Sequence, residues 1–233
     1  MSRDRVLDPR PVVRVVADPD PDLPRPADQW PYSIPAVAQL LRDGLELAGR
    51  CGAGALVQRA HEEHPDLPLV LIGHSMGGMI AARYTQRHPE SLTATVLSGP
   101  VLGSWEPTAL ADLDEIPPTP IDITTLSRDP DVGRAYEADE LVWHGDFKRP
   151  TLLALRATLE AITRGGRLTI PTIWLHGADD QLVPIDRSDE GWAHIAPDGA
   201  PSKRYPGARH EIFNETNREE VLDDVMAFVN DHI

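Results

Sequence analysis

Residues 67–88 read LPLVLIGHSMGGMIAARYTQRH, and this stretch decides the fold. Its first part, residues 67–73, is an unbroken apolar run of the kind found in a parallel strand that is buried on both faces. The part from Met76 onward has helical composition, and Gly73-His74-Ser75-Met76-Gly77 joins the two. A buried strand that turns sharply into a helix at a serine between glycines predicts a parallel α/β sheet.

Similar patterns continue on both sides of this stretch. Further strands are predicted for TATVLSGP from Thr93, LTIPTIWLHG from Leu168 and SKRYPG from Ser202, with helical patterns such as ALVQRAHEEHP (55–65) between or around them. Upstream, VVRVVA (12–17) resembles a strand and the apolar spacing of residues 37–48 suits one helix face. Strands that alternate with helices indicate a doubly wound α/β fold.

Composition limits the classes of protein that fit. The chain has 233 residues, 41% of them hydrophobic, which is enough for one core. Lys and Arg total 22 against 37 for Asp and Glu, and the resulting net charge of −15 argues against a nucleic-acid partner. The sequence has no apolar run long enough for a membrane span and begins without the apolar stretch of a signal peptide. We expect a soluble cytoplasmic protein, and the lone Cys51, which excludes an internal disulfide, fits a reducing compartment.

The G-x-S-x-G pattern makes Ser75 a candidate nucleophile. A serine on a sharp strand-to-helix turn has a strained backbone and needs small residues two positions before and after it, because strand and helix come into contact there. The following helix brings partial positive charge, and the Met76 N–H is placed to bind an oxyanion. The alternative is a serine that caps a helix, with glycines for packing.

A serine nucleophile needs a histidine base and an acid, in the chain order serine, acid, histidine for this type of fold. IWLHGADDQLVP (173–184) places Asp180 on the loop after a strand, and Asp179 is the rival acid. RYPGARHE (204–211) delivers His210 after the last predicted strand. The order therefore fits a triad of Ser75, Asp180 and His210.

The sequence gives little support for a metal or cofactor site. HEEH (61–64) has two histidines at metal-like spacing but no third ligand nearby, and DPDPD (18–22) lacks the glycine and glutamate of a calcium loop. The chain contains neither G-x-G-x-x-G nor a P-loop. We expect no metal and no cofactor.

Four segments together resemble the monoacylglycerol lipase branch of the α/β-hydrolases, also called lysophospholipase-like or serine aminopeptidase-like: GHSMGG, LHGADDQLVP, YPGARHEIFNE and SRDPDVGRAYEADELVWHG (127–145). The resemblance runs from about residue 55 to the C-terminus. It implies an α/β-hydrolase fold, a mostly parallel sheet flanked by helices with a helical cap insertion. It also implies the triad Ser75, Asp180 and His210, with a monoglyceride ester cleaved through an acyl-enzyme on Ser75.

The resemblance also implies a division of the chain: an atypical region 1–54, a first part of the hydrolase core 55–100, a cap 101–167 and a second part of the core 168–233. Within the cap, an apolar stripe at residues 152, 155, 159 and 162 fits core packing or the lining of an acyl-chain pocket. A lipid ester is the implied partner, with transient contact between cap and membrane surface and a homo-oligomer as further candidates. The implied substrate-binding residues are His74, Tyr136, Leu141, Val142, Trp143 and Phe147.

The sequence departs from the family upstream. Members carry an early strand and a His-Gly loop whose N–H is the second oxyanion donor, whereas the first glycine here is Gly44 and VVRVVADPDPDLPRP (12–26) stands in that place. Early strands are therefore expected to be missing, and loss of one donor costs on the order of 10² to 10³ in kcat. Two functions remain: an active serine esterase on monoacylglycerols, with lysophospholipids or small esters as variants, or a weakly active or inactive hydrolase-fold protein that binds a partner.

Overall fold

The computed structural model describes residues 53–140 and 142–233. The strand predicted at 12–17, the helix predicted at 37–48, Cys51 and Leu141 lie outside the described residues, as does the segment expected to replace the His-Gly loop.

Helices and strands alternate over the described residues, as the sequence predicts. The strands are β1 (Val70–His74), β2 (Ala94–Ser98), β3 (Thr172–Gly177) and β4 (Ser202–Tyr205). The helices are α1 (Ala53–Glu63), α2 (Met76–Arg87), α3 (Pro130–Ala138), α4 (Arg149–Arg164), α5 (Ile185–Ile195) and α6 (Arg218–Asn230). None of these helices, in the part of the chain described, is both long and apolar enough to cross a bilayer.

The four strands form one parallel sheet in the order β1-β2-β3-β4. Successive side chains of a strand point to opposite faces. Trp174 of β3 accordingly joins a core cluster with residues of α1, α2, α4 and α5, whereas the neighbouring Leu175 joins a second cluster with α6. Residues on both faces of β1, β2 and β3 are mostly buried, which explains the continuous apolar runs of these strands, whereas β4 exposes Ser202 and Arg204.

Strand β3 is shorter than its sequence pattern suggests. The apolar run starts at Leu168, but the strand starts at Thr172. Pro171 has no N–H for the ladder, although its carbonyl accepts from the Thr95 N–H at 2.9 Å. The Leu168 N–H instead donates to the carbonyl of Ile195, at the end of α5. The first residues of the run therefore pack as a connection and not as a strand.

The segment between β2 and β3 contains two 3-10 helices, Glu106–Asp112 and Ile123–Thr125, followed by α3 and α4. Helix α4 carries the apolar stripe, and its exposed fractions decide between the two interpretations. All four side chains are at least 94% buried, and three of them belong to the same core cluster as Met79 of α2. The stripe thus packs the core, as one of the two interpretations predicted: Leu152, Leu155, Leu159 and Ile162.

Parallel strands end at the same edge of a sheet. Ser75 follows β1, Asp180 follows β3 by three residues, and His210 follows β4 by five. The topology therefore brings the loops that carry these three residues to one edge, where open α/β sheets bind their ligands.

Candidate active site

Ser75 occupies the turn between β1 and α2 with φ 54° and ψ −122°, and it is the only non-glycine residue with positive φ among those described. Its N–H donates to the Ser98 carbonyl at 2.9 Å, and its carbonyl accepts from the Val101 N–H at 3.1 Å. A conformation of this kind costs about 1–3 kcal/mol and persists only where the surroundings hold it. The loop after β2 supplies that restraint.

The glycine two positions before Ser75 is required by close packing. A Cβ on Gly73 would lie 2.5 Å from the Gly77 carbonyl oxygen and 2.6 Å from the Ala81 Cβ. The strand and the helix therefore approach each other as the motif demands. The Ser75 side chain makes no capping hydrogen bond to α2, so the geometry does not support the alternative of a helix-capping serine.

Asp180 is the acid that contacts His210. Its side chain is buried, and its Oδ2 accepts from His210 Nδ1 at 2.7 Å. Its Oδ1 accepts from the Leu182 and Val183 N–H groups, both at 2.9 Å. The rival Asp179 is exposed, whereas the hydrogen bond from His210 goes to Asp180. The structure thus joins His210 to Asp180.

The environment of Asp180 favours its ionised form. Burial, the largest single influence, raises the pKa of a carboxyl. The effect of burial is outweighed by hydrogen bonds from His176, His210 and the Val183 N–H and by the charge of His210. These contacts hold the pKa of Asp180 well below its ordinary value. Asp180 therefore stays a carboxylate at neutral pH.

His210 is 4% exposed and is held by both its side chain and its loop. Because Nδ1 donates to a carboxylate, Nε2 is the nitrogen left to accept a proton. The ring lies 4.7 Å from that of His74, the residue next to Ser75. On the backbone, the neighbouring Glu211 N–H donates to the Leu126 carbonyl at 2.8 Å. His210 is thus anchored beside the Ser75 turn.

His74 and Glu211 form a second polar pair against His210. His74 Nδ1 lies 3.1 Å from Ser98 Oγ, and its Nε2 lies 3.4 Å from Glu211 Oε1 without the angle of a hydrogen bond. Burial raises the pKa of Glu211, but contact with His74 and the charges of His74 and His210 lower it to about 2. A fixed negative charge therefore stands beside His210.

A buried carboxylate ties the His210 loop to residues 124–128, a contact we call the Glu215 clasp. Glu215 is 1% exposed, and its Oε1 accepts from the backbone N–H groups of Arg128 and Arg209 at 3.0 and 2.9 Å. Its Oε2 accepts from Arg128 Nε and the Thr216 N–H, both at 2.9 Å. The clasp fixes the segment that carries His210 against the start of the α3 region.

The predicted substrate-binding residues differ in burial and in the residues that they contact. Tyr136 of α3 is half-buried, and burial and the negative charge of Glu211 raise its pKa. Phe147 is half-buried and meets Trp105 edge-on at 5.7 Å. Val142 is half-buried, whereas Trp143 is 53% exposed. Leu141 lies outside the described residues.

Three polar residues around the site were not assigned roles from the sequence: His176, Glu211 and Glu215. His176 lies four residues before Asp180, a spacing visible in LHGADD, but a lone histidine in an apolar strand gives no functional signal. Glu211 and Glu215 follow His210 closely in the sequence. The partner of Glu211 is His74 and the partner of Glu215 is Arg128, and both partners are distant in the chain. Local patterns do not reveal such pairs.

Comparison with known proteins agrees with this geometry. The model of the serine aminopeptidase S33 family matches residues 52–217. A monoacylglycerol lipase of Mycolicibacterium smegmatis is 36% identical over 189 residues, which cover 76% of this chain and 68% of that protein. Phospholipase YtpA of Bacillus subtilis is 29% identical, with 72% and 70% covered.

A solved structure extends the comparison to the fold. The monoacylglycerol lipase of Paleococcus ferrophilus superposes with a TM-score of 0.64 at 22% identity, over 87% of this chain and 77% of that one. The sheet and its flanking helices therefore form an α/β-hydrolase fold, as the resemblance implied. Since the family model covers most of the chain, this protein belongs to the serine aminopeptidase S33 family of α/β-hydrolases.

Proposed function

We propose that this protein is a serine ester hydrolase that cleaves monoacylglycerol to fatty acid and glycerol. Ser75 Oγ attacks the ester carbonyl while His210 Nε2 accepts the hydroxyl proton. The tetrahedral intermediate expels glycerol, which takes that proton from His210, and the acyl group remains on Ser75. Water, activated by His210, then releases the fatty acid and restores the serine.

One observation carries the proposal: a strained serine turn and a buried His–Asp pair stand at the same edge of the sheet. Positive φ at Ser75 and burial of the Asp180 charge beside His210 both carry a cost in stability that a purely structural role does not require. Asp180 orients the imidazole and stabilises the imidazolium that forms. These two features support acyl transfer over a purely structural role.

The oxyanion is assigned to the first turn of α2. Met76 is the first residue of this helix, and the N–H groups of a first turn have no partner inside the helix. The helix dipole adds partial positive charge at the same place. Met76 N–H is the proposed donor, and this sequence lacks the His-Gly loop from which the family takes its second donor.

The substrate class follows from the relatives and from the cap. The M. smegmatis relative is a monoacylglycerol lipase, and the B. subtilis relative is a phospholipase, so lysophospholipid is the second candidate. A non-catalytic role is not favoured by these names. Exposed apolar side chains between β2 and α4 suit contact with a lipid surface that presents the substrate: Leu113, Ile121 and Trp143.

The test is labelling of the purified full-length protein by a fluorophosphonate probe, followed by hydrolysis of monoolein. We expect stoichiometric labelling at Ser75, located by mass spectrometry, and release of glycerol. Ser75→Ala should abolish both, whereas Ser202→Ala, at an exposed serine on β4, should change neither. The matched alanine variants separate loss of the nucleophile from loss of any surface serine.

Three results would contradict the proposal. A folded wild-type protein that resists the probe would contradict an assembled nucleophile. Monoolein turnover by Ser75→Ala at the wild-type rate would exclude Ser75. Labelling at Ser75 with turnover of lysophosphatidylcholine but not monoolein would transfer the activity to the second substrate class.

A further inference from the structure

His176 is a buried ionisable side chain that the proposed reaction does not use. It lies on β3, is 0% exposed, and precedes Asp180 by four residues. Its Nε2 lies 3.2 Å from Asp180 Oδ2, the same oxygen that accepts from His210 Nδ1 at 2.7 Å. The acid of the site is therefore placed between two histidines.

The contacts of His176 define which of its nitrogens carries the proton. Nε2 lies 2.9 Å from the carbonyl oxygen of Val183, and a carbonyl oxygen only accepts. Nε2 is thus the N–H of the ring: it donates to the Val183 carbonyl and lies 3.2 Å from Asp180 Oδ2, where its positive end faces the carboxylate. The ring stacks on Trp174 at 5.1 Å between centroids and 26° between planes, which fixes its orientation.

Packing alone does not account for a histidine at this position. His176 Nδ1 is buried and has no hydrogen-bond partner among the described residues. An unsatisfied buried polar group costs about 1–3 kcal/mol. Leucine or phenylalanine would fill the space without that cost, so the N–H that joins the Val183 carbonyl and lies beside Asp180 is the feature that distinguishes histidine here.

Polar hydrogens surround both oxygens of the Asp180 carboxylate. The Leu182 and Val183 N–H groups donate to Oδ1, His210 Nδ1 donates to Oδ2, and His176 Nε2 lies 3.2 Å from Oδ2. A carboxylate accepts about four hydrogen bonds, so His176 stands at the remaining place. Rotation of the carboxylate would break several of them at once, so Asp180 holds one orientation toward His210.

We propose that His176 is a positioning residue of the proposed hydrolase, which acts on the reaction through Asp180 by fixing Oδ2 and sharing its negative charge with His210. The proposal rests on the proposed function. Without the His176 donor, Asp180 offers more charge to His210 but holds it less firmly. The imidazolium that forms on His210 during the reaction is then stabilised differently, while Glu211 and His74, the other titratable groups at its ring, are unchanged.

The experiment compares His176→Phe with His176→Gln in the full chain, on monoolein. Phenylalanine keeps the aromatic stack on Trp174 and removes the donor, whereas the glutamine amide can still donate to Asp180. We expect His176→Phe to lower kcat by about tenfold or more, the usual cost of losing a group that orients an active-site ligand, with KM unchanged. The acid limb of its kcat/KM profile should move to higher pH. His176→Gln should retain most of kcat and the wild-type profile.

A double variant shows whether His176 acts through Asp180. In the Asp180→Asn background, His176→Phe should cause little further loss of kcat, because the group it orients is already lost. His194→Phe, at an exposed histidine on α5, is the control and should match the wild type. Thermal unfolding of each variant monitors folding, and His176→Leu replaces His176→Phe if the latter fails to fold.

The outcomes separate this inference from the proposed function. If the wild type does not hydrolyse monoolein or lysophosphatidylcholine, the proposed function fails, whatever the variants do. If the wild type is active, an unchanged pH profile and kcat in folded His176→Phe would overturn the role of His176. A loss that adds fully to that of Asp180→Asn would overturn it as well.

Discussion

Asp180 and Asp179 are neighbours in the chain, but they differ in burial and in hydrogen bonding. Asp180 is 6% exposed and accepts hydrogen bonds on both oxygens, whereas Asp179 is exposed. The sequence favours Asp180, which lies three residues after Gly177 in a G-x-x-D loop, and leaves the neighbouring Asp179 as a rival on the same loop. The turn after β3 decides between them, since the Asp180 N–H bonds back to the Gly177 carbonyl at 3.3 Å while the Asp179 N–H bonds to Ala208.

This difference predicts opposite results from the same substitution. Asp180→Asn should lower kcat on monoolein by on the order of 10³ to 10⁴, because an amide favours the wrong tautomer of His210 and cannot stabilise the imidazolium. Asp179→Asn should leave kcat within error of the wild type. Steady-state kinetics with both variants decides, and a severe loss in Asp179→Asn alone would move the acid by one residue.

At the scale of elements, the Glu215 clasp joins two loops that are far apart in the chain. Glu215 and Arg128 are separated by 87 positions, yet five hydrogen bonds reach the one buried carboxylate from residues 128, 209 and 216. Burial, the largest influence, raises the pKa of Glu215, but these bonds lower it below its ordinary value. The charge of Glu215 therefore contributes to the positioning of the His210 loop.

The clasp predicts a specific dependence of stability on pH. Because the native pKa of Glu215 lies below the unfolded value of 4.5, its contribution is present above about pH 4.5 and is lost as the pH falls through the native value. Glu215→Gln places an amide NH₂ among donors, so it should lower the free energy of unfolding at pH 7 by about 1–3 kcal/mol. Its stability should also fall less than that of the wild type on acidification.

Urea unfolding at pH 7 and at pH 4 measures both effects. Glu219→Gln, at an 85% exposed side chain on α6, is the matched control and should follow the wild type at both pH values. Equal stability of Glu215→Gln and wild type at pH 7 would show that the clasp contributes nothing to the fold. A loss of the same size in Glu219→Gln would assign the effect to net charge.

The sequence predicts the described elements well where a local pattern carries the information. The apolar runs of β1 and β2, the serine turn and the three- and four-residue spacing of the α4 stripe are all local, and each appears in the structure near its predicted place. The start of β3 was misjudged because Pro171 interrupts the ladder inside an apolar run. The triad candidates could be named because G-x-S-x-G and the chain order are local signals too.

Contacts between residues that are distant in the chain cannot be predicted from local sequence patterns. His176 reads as one more buried residue of a strand, and only the turn after β3 brings its Nε2 to Asp180. Glu215 reads as an acidic loop residue, and only the packing of residues 124–128 gives it a partner. Both depend on tertiary geometry, which a pattern in one segment cannot contain.

At the scale of the whole molecule, charge and apolar surface act in opposite directions at a lipid surface. The net charge of −15 repels anionic headgroups, and between β2 and α4 acidic residues outnumber basic ones. In the same segment Trp143 is 53% exposed, with Lys148 Nζ 5.5 Å from its ring. A surface that combines apolar side chains with negative charge favours zwitterionic over anionic lipid.

The salt concentration should therefore change the rate at which the protein reaches a substrate in anionic membranes. The Debye length falls from about 30 Å at 0.01 M salt to about 8 Å at 0.15 M, so the initial rate on monoolein in vesicles with phosphatidylglycerol should rise over this range. The rate on phosphatidylcholine vesicles, and on a water-soluble butyrate ester, should stay constant. Trp143→Ala should lower the rate on both kinds of vesicle while leaving the soluble ester unaffected. If the rate on anionic vesicles falls as salt is added, a local basic surface, and not the net charge, determines how the protein binds the vesicle surface.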